Sequence, residues 1–149
     1  ETRQVQTIEI GTNDVQTQTL ASPPTNDERA NTVQSFPDIL LHLPVPAEDA
    51  RLDGPEARAC AERLAAAALP LIDRLQPAVV VLVGGDTTFH ALVQLGVQRL
   101  EVLRELLPGM PLAHGADAKG NERLFVLKAG NHGDETTLAT LLQQMKNEA

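Results

Sequence analysis

"VLVGGDTTFHAL", residues 81–92, is the stretch whose reading decides the fold. It leaves an aliphatic run, crosses two adjacent glycines, Gly84 and Gly85, and passes through Asp86, Thr87 and Thr88 into a segment of helical character. Val79 to Val83 are five aliphatic residues without polar alternation, the pattern of a strand covered on both faces, so helices are expected on both sides of its sheet. A helix is expected from about Thr87 to Leu95, closed by Gly96.

A second stretch repeats this plan. "RLFVLK", Arg123 to Lys128, reads as another buried strand; Gly130 and Asn131 follow, and a last helix is expected from about Asp134 to Met145, with Glu135 near the positive end of its dipole. In a parallel sheet the carboxyl ends of the strands share one edge, so both glycine turns should open onto the same rim, where ligands of open α/β sheets bind. Free N–H groups at the start of a helix attract an anion, and a glycine lets the backbone approach a phosphate with no Cβ between. Gly84 and Gly85 would serve in this way, with the Thr87 and Thr88 hydroxyls as further donors. The spacing matches neither a P-loop nor G-x-G-x-x-G, and Gly-Gly after a strand also suits any tight turn, with Asp86 a plain N-cap.

Upstream, "LDGPEARACAERLAAAALPLIDRL" carries helix-start signals at Asp53, Pro55 and Glu56. Ala57, Cys60, Ala61, Leu64, Ala65, Ala68, Ile72 and Leu75 recur at three- and four-residue steps and define a small apolar face. Pro70 within this pattern predicts a kink or a break, and Cys60 on the stripe reads as a packing residue rather than a nucleophile. "DILLHLPV" reads as a short strand ended by Pro44 and Pro46. "VQRLEVLREL" is ambiguous between the two periods, and Pro108 to Pro111 read as a turn. Residues 1–36 are polar and the least readable part, with apolar residues only around Val5, Ile8 and Ile10; Ser22 to Thr32 has the chemistry of a surface loop. The expected fold is α/β, three-layered and Rossmann-like, with a largely parallel sheet and helices on both faces, residues 37–149 forming one domain.

The 149 residues suffice to bury about two-thirds of the unfolded surface. With 42% hydrophobic residues but only three Phe and no Trp or Tyr, the core must be aliphatic. A net charge of −8 and the lack of stacking rings argue against a nucleic-acid partner. The single cysteine excludes an internal disulfide and fits a reducing compartment; with no apolar run near the ~20 residues of a membrane span and no signal peptide, a cytoplasmic location is expected. His114, Asp117, His132 and Asp134 lack a metal-ligand spacing, His132 reading as an ordinary loop residue. Mg²⁺ carried by nucleotide phosphates is another matter, with Asp86 the nearest carboxylate to its water shell. Ser22 and Ser35, the only serines, lie in polar loop sequence, so no serine nucleophile is expected.

Taken together, "VVVLVGGDTT", "LLPGMPLA" and "FVLKAGNHGDETTL" resemble, in order and separation, the C-terminal nucleotide-binding domain of the four-carbon acid sugar kinase family. The resemblance covers about residues 37–146 and implies ATP, with Mg²⁺ carried by the nucleotide, as phosphate donor to a sugar acid such as threonate or erythronate. It carries ATP contact onto Gly84, Gly85, Asp86 and Thr87 and onto Gly130, with Lys128 and Asn131 also matching. Phe89 and His90 stand where the family has small residues and are expected to narrow the phosphate site or cover the adenine; Ala129 and His132 replace a Ser and a Phe. The family's sugar-acid site lies in a larger N-terminal domain, so this chain reads as a C-terminal piece whose partner domain, with any catalytic base, lies elsewhere, and no catalytic residue is assigned here. A degenerate interaction module on the same fold, with Phe89 and His90 blocking nucleotide and the acidic surface meeting a protein partner, and a different phosphate-ligand enzyme on the same sheet are the open alternatives; a homo-oligomer is also open.

Overall fold

A computed structural model describes residues 6–9, 38–43 and 54–148. The expected loop at residues 22–32 and the Asp53 cap lie outside these residues. The chain divides into two compact units, Glu1–Glu56 and Ala57–Ala149. In the first, strands β1 (Gln6–Glu9) and β2 (Ile39–His42) pair in parallel, Gln6 against Ile39 and Glu9 against His42. The aliphatic run ahead of Pro44 is therefore a strand, and so is part of the polar segment before it.

The second unit holds helix α1 (Gly54–Leu75, entering from the first unit), strand β3 (Val79–Val83), helix α2 (Gly85–Leu95), strands β4 (Glu101–Leu107), β5 (Met110–Ala116) and β6 (Glu122–Lys128), and helix α3 (Thr137–Glu148). Its sheet has the order β3-β6-β5-β4. β3 and β6 are parallel, Val79 facing Leu124 and Val83 facing Lys128, whereas β5 runs antiparallel to both β6 and β4. The sheet is thus mixed rather than largely parallel. The cause is a hairpin of β4 and β5 turning at Pro108 and Gly109, inserted where strand–helix alternation predicts a crossover.

Side chains of β3 and β6 alternate between two apolar cores, aliphatic but for the fully buried Phe125. On one face Leu82 and Phe125 pack with Ala65 and Ile72 of α1 and Ala91 and Leu95 of α2; on the other, Val126 packs with Leu106, Met110, Leu112 and Leu141 of α3. Two strands without surface alternation need cover on both sides, and the three helices supply it. This is the three-layer α/β arrangement that the sequence predicts. Pro70 does not break α1, which runs uninterrupted across it. Pro70 is exposed, and so is Ala66, whose carbonyl loses its donor, while Ala65 and Ile72 hold the core side of the helix in place. Cys60 is half-buried beside Arg63, whose Nη2 lies 3.3 Å from its Sγ.

The rim formed by the start of β6 is stapled. Asp117 Oδ1 accepts the N–H groups of Lys119 and Asn121, and its Oδ2 accepts Asn121 Nδ2 and Arg123 Nε at 2.9 and 3.1 Å. Lys119 Nζ reaches Asp73 Oδ2 of α1 at 2.5 Å. The Asn121 side-chain bond is the largest cause holding the Asp117 carboxyl at about 2; burial opposes it, and the other donors reinforce it.

Candidate functional site

The opposite rim is formed by the ends of β3 and β6 and the turns that follow them. The register of Val83 against Lys128 brings the ends of β3 and β6 side by side, so the glycine turns that follow them meet. Gly84 N donates to Lys128 O at 2.9 Å, and a Cβ built on Gly130 would sit 3.6 Å from Gly84 Cα. Both turns therefore open on one edge.

Gly84 is the N-cap of α2, at φ 91° and ψ 139°, a conformation that needs glycine and leaves the cap without a side chain. The first helical bond runs from Thr88 N to Gly84 O at 2.9 Å. The three preceding N–H groups, of Gly85, Asp86 and Thr87, thus lie in the first turn of an 11-residue helix and find no hydrogen-bond partner among the described residues. A Cβ on Gly85 would meet nothing within 4 Å, so the space beside these donors is open. Asp86 is exposed and Thr87 half-buried. Three aligned donors at the positive end of a helix, next to open space, are an arrangement that attracts negative charge.

The second turn behaves differently. α3 begins at Thr137, three residues later than the Asp134 start expected from the sequence, because Asp134 closes a clasp of its own. Asp134 Oδ1 accepts Thr136 N, Thr136 Oγ1 and Thr137 Oγ1, while Asp134 N donates to Thr137 Oγ1 at 2.8 Å. The Thr136 hydroxyl is the largest cause lowering the Asp134 carboxyl below the usual range. The clasp occupies Thr136 N, and Thr137 N donates to Asp134 O at 3.2 Å, so of the first-turn amides of α3 those of Leu138 and Ala139 find no hydrogen-bond partner among the described residues, and the loop around Gly130 and Asn131 adds its own amides. Both residues are exposed. Lys128 is half-buried and turns its Nζ to the carbonyl of Ala129 at 3.1 Å, within reach of the same edge.

Phe89 does not fill the first turn. It is 62% exposed one helical turn beyond Gly85, and its ring meets His90 edge-on, centroids 5.4 Å apart. Sequence reasoning passed over His132 as an ordinary loop residue, yet its Nε2 lies 2.7 Å from the carbonyl oxygen of Pro108 at the tip of the β4–β5 hairpin. No spacing signal marks this contact, because it depends on the hairpin. The Asp134 clasp did leave a signal, an Asp followed by Thr at two and three residues. Among the described residues no three His, Cys, Asp or Glu side chains group as metal ligands: His114 pairs with Glu122, and Asp117, His132 and Asp134 have the partners given above. Nor is any described helix long and apolar enough to cross a membrane.

The model of a family described as a nucleotide-binding C-terminal domain matches residues 2–138. Over 82 residues the chain is 35% identical to a 3-oxo-isoapionate kinase of Paraburkholderia graminis, an overlap of 54% of this chain and 17% of that protein. A domain of unknown function from Bordetella bronchiseptica, solved with bound citrate as a domain-swapped dimer, is 29% identical in two crystal forms with TM-scores of 0.59 and 0.61. These matches cover 72% and 75% of this chain but 27% and 28% of the solved one. A Haemophilus influenzae protein, 18% identical over 77% of this chain and 28% of its own with a TM-score of 0.51, shares the fold. The chain thus spans about a sixth of the kinase and somewhat more than a quarter of each solved relative.

Proposed function

The chain belongs to the family of nucleotide-binding C-terminal domains, and from that premise we propose that it is the ATP-binding part of a kinase that phosphorylates an alcohol group of a four-carbon sugar acid, such as threonate or erythronate. The observation that carries this reading is the row of unpartnered N–H groups on Gly85, Asp86 and Thr87, opened by Gly84 and facing the Gly130 turn. Such a row holds phosphate oxygens through direct hydrogen bonds and the helix dipole, and needs no side chain to do so. Lys128, released from the Ala129 carbonyl, offsets charge on the outer phosphates, and Asn131 adds a polar contact from the second turn. Mg²⁺ would arrive with the nucleotide, and the Asp86 carboxylate, which is exposed, would hold part of its water shell.

The kinase assignment rests on the relative named for phosphorylating an oxo acid, 3-oxo-isoapionate. Phosphoryl transfer demands donor and acceptor in line and shielded from water. This chain supplies the donor side, and the portion of the longer relatives beyond the match would supply the acceptor and its base. The chain alone is therefore expected to bind nucleotide without turning it over. The domain-swapped dimer of the Bordetella bronchiseptica protein makes self-association the first quaternary state to test, by light scattering.

A thermal-shift panel of nucleotides, sugar acids and phosphorylated sugars checks the reading. Stabilisation by Mg-ATP above all others, and phosphorylation of threonate or erythronate by a protein that joins this chain to the N-terminal portion of its relatives, are expected. A response to phosphorylated sugars but not to nucleotides would replace the kinase with another phosphate-ligand protein on the same sheet.

A further inference from the structure

Between the end of β6 and the Asp134 clasp, the segment carrying Gly130 and Asn131 is tied down at one point, His132. Its backbone N–H donates to Ala129 O at 3.2 Å, and its ring leaves the loop altogether to reach the β4–β5 hairpin. A carbonyl can only accept, so the nitrogen 2.7 Å from Pro108 O carries the proton and donates. The tip is shaped to receive the ring. Gly109 has φ 73°, and a Cβ there would fall 3.0 Å from His132 Nε2 and 3.2 Å from Cε1. Glu105 Oε1 accepts Gly109 N at 2.6 Å and fixes the tip from the strand side.

We infer that His132 is a positioning residue for the nucleotide site: by donating to Pro108 O over Gly109 it pins the Gly130–Asn131 segment to the hairpin tip, and so sets its distance from Gly84 and the α2 amides. The inference rests on the nucleotide reading given above. The antiparallel register of Leu112 with Val126 carries the start of β5, and the hairpin tip before it, to the rim where β6 ends. A loop clamped by Asp134 alone is held at its ends while its middle is free. The contact with Pro108 removes that freedom before ligand arrives, and the ordering cost is then not charged against binding. Ring packing alone does not provide it, because the hydrogen bond fixes the direction of approach.

Three variants of the full chain test this, with Mg-ATP affinity by calorimetry and amide hydrogen exchange as readouts. His132→Ala is expected to weaken Mg-ATP by about tenfold, the scale of one net hydrogen bond, and to speed exchange at Gly130 and Asn131 while the unfolding midpoint stays near that of the unaltered protein. His132→Gln, whose side-chain N–H reaches the Pro108 carbonyl, should recover most of the affinity; His132→Phe, which keeps a ring over Gly109 but no donor, should not. Affinity equal to the unaltered protein in His132→Ala, or recovery by Phe as good as by Gln, would overturn the inference and leave the nucleotide reading standing. Absence of saturable Mg-ATP binding by the unaltered protein would instead overturn that reading, and with it the role of His132 in binding.

Discussion

Gly84 and Gly130 face each other across the ends of two parallel strands, a side-chain carbon on Gly130 falling 3.6 Å from the Gly84 Cα. This approach makes the two turns one edge. On the far rim carboxylates and cations pair, Asp117 with Arg123 and Asp73 with Lys119, and the chain is held shut. On the near rim the helix donors of α2 are left open. One end of the sheet thus serves stability and the other is available to a ligand.

Gly84 is constrained by its backbone rather than by crowding. The nearest atom to a Cβ there, Thr87 Oγ1, is 3.9 Å away, yet φ lies at 91°. Gly84→Ala is therefore expected to lose about 1–3 kcal/mol, measured by denaturant unfolding. A variant as stable as the parent would show that the turn relaxes into another conformation.

Acid should loosen the stapled rim in a defined window. Hydrogen bonds from Asn121, and from Arg123 and Lys119, hold the folded Asp117 carboxyl at about 2, below its ordinary 3.8. The unfolded chain takes up the proton first, so this contribution is full above about pH 4 and is lost as pH falls toward 2. Unfolding midpoints between pH 2 and pH 4 should fall more steeply for the parent than for Asp117→Asn. Parallel profiles would mean that Asp117 makes no net contribution.

The α3 face depends on few contacts. Leu141 is completely buried with Val126, Met110, Leu106 and Leu112, and α3 is the helix covering that side of the sheet. Leu141→Ala should cost about 2–5 kcal/mol in urea unfolding. A loss under 1 kcal/mol would mean that the cavity collapses almost completely.

Part of this molecule was legible in its letters. Val79 to Val83 and Leu124 to Leu127 read as strands because short unbroken apolar runs suit a sheet covered on both faces, while α2, expected from about Thr87, begins two residues earlier at Gly85 and ends at the expected Gly96, an αL cap. The glycine turns followed from those strands. The hairpin was hidden, because Glu101 to Glu105 are all exposed and carry no burial pattern, while β5 includes Pro111 and Gly115 in place of β-branched residues. The mixed sheet and the His132 contact both depend on that hairpin and were lost with it. The Asp134 clasp shows the opposite case: its residues are adjacent in sequence, but whether they free or occupy the helix donors is a matter of rotamers, which composition does not specify.

The central claim is that open amides on Gly85, Asp86 and Thr87 bind nucleotide phosphates. Calorimetric titration of Mg-ATP into the parent and into Gly85→Val tests it most directly, because a Cβ at this position meets nothing within 4 Å and the added side chain is directed at the space beside those donors. Saturable binding by the parent, weakened at least about tenfold, or 1.4 kcal/mol, in a folded Gly85→Val, is the predicted result. Equal affinity in the two proteins, or no saturable heat from the parent at millimolar nucleotide, would contradict it.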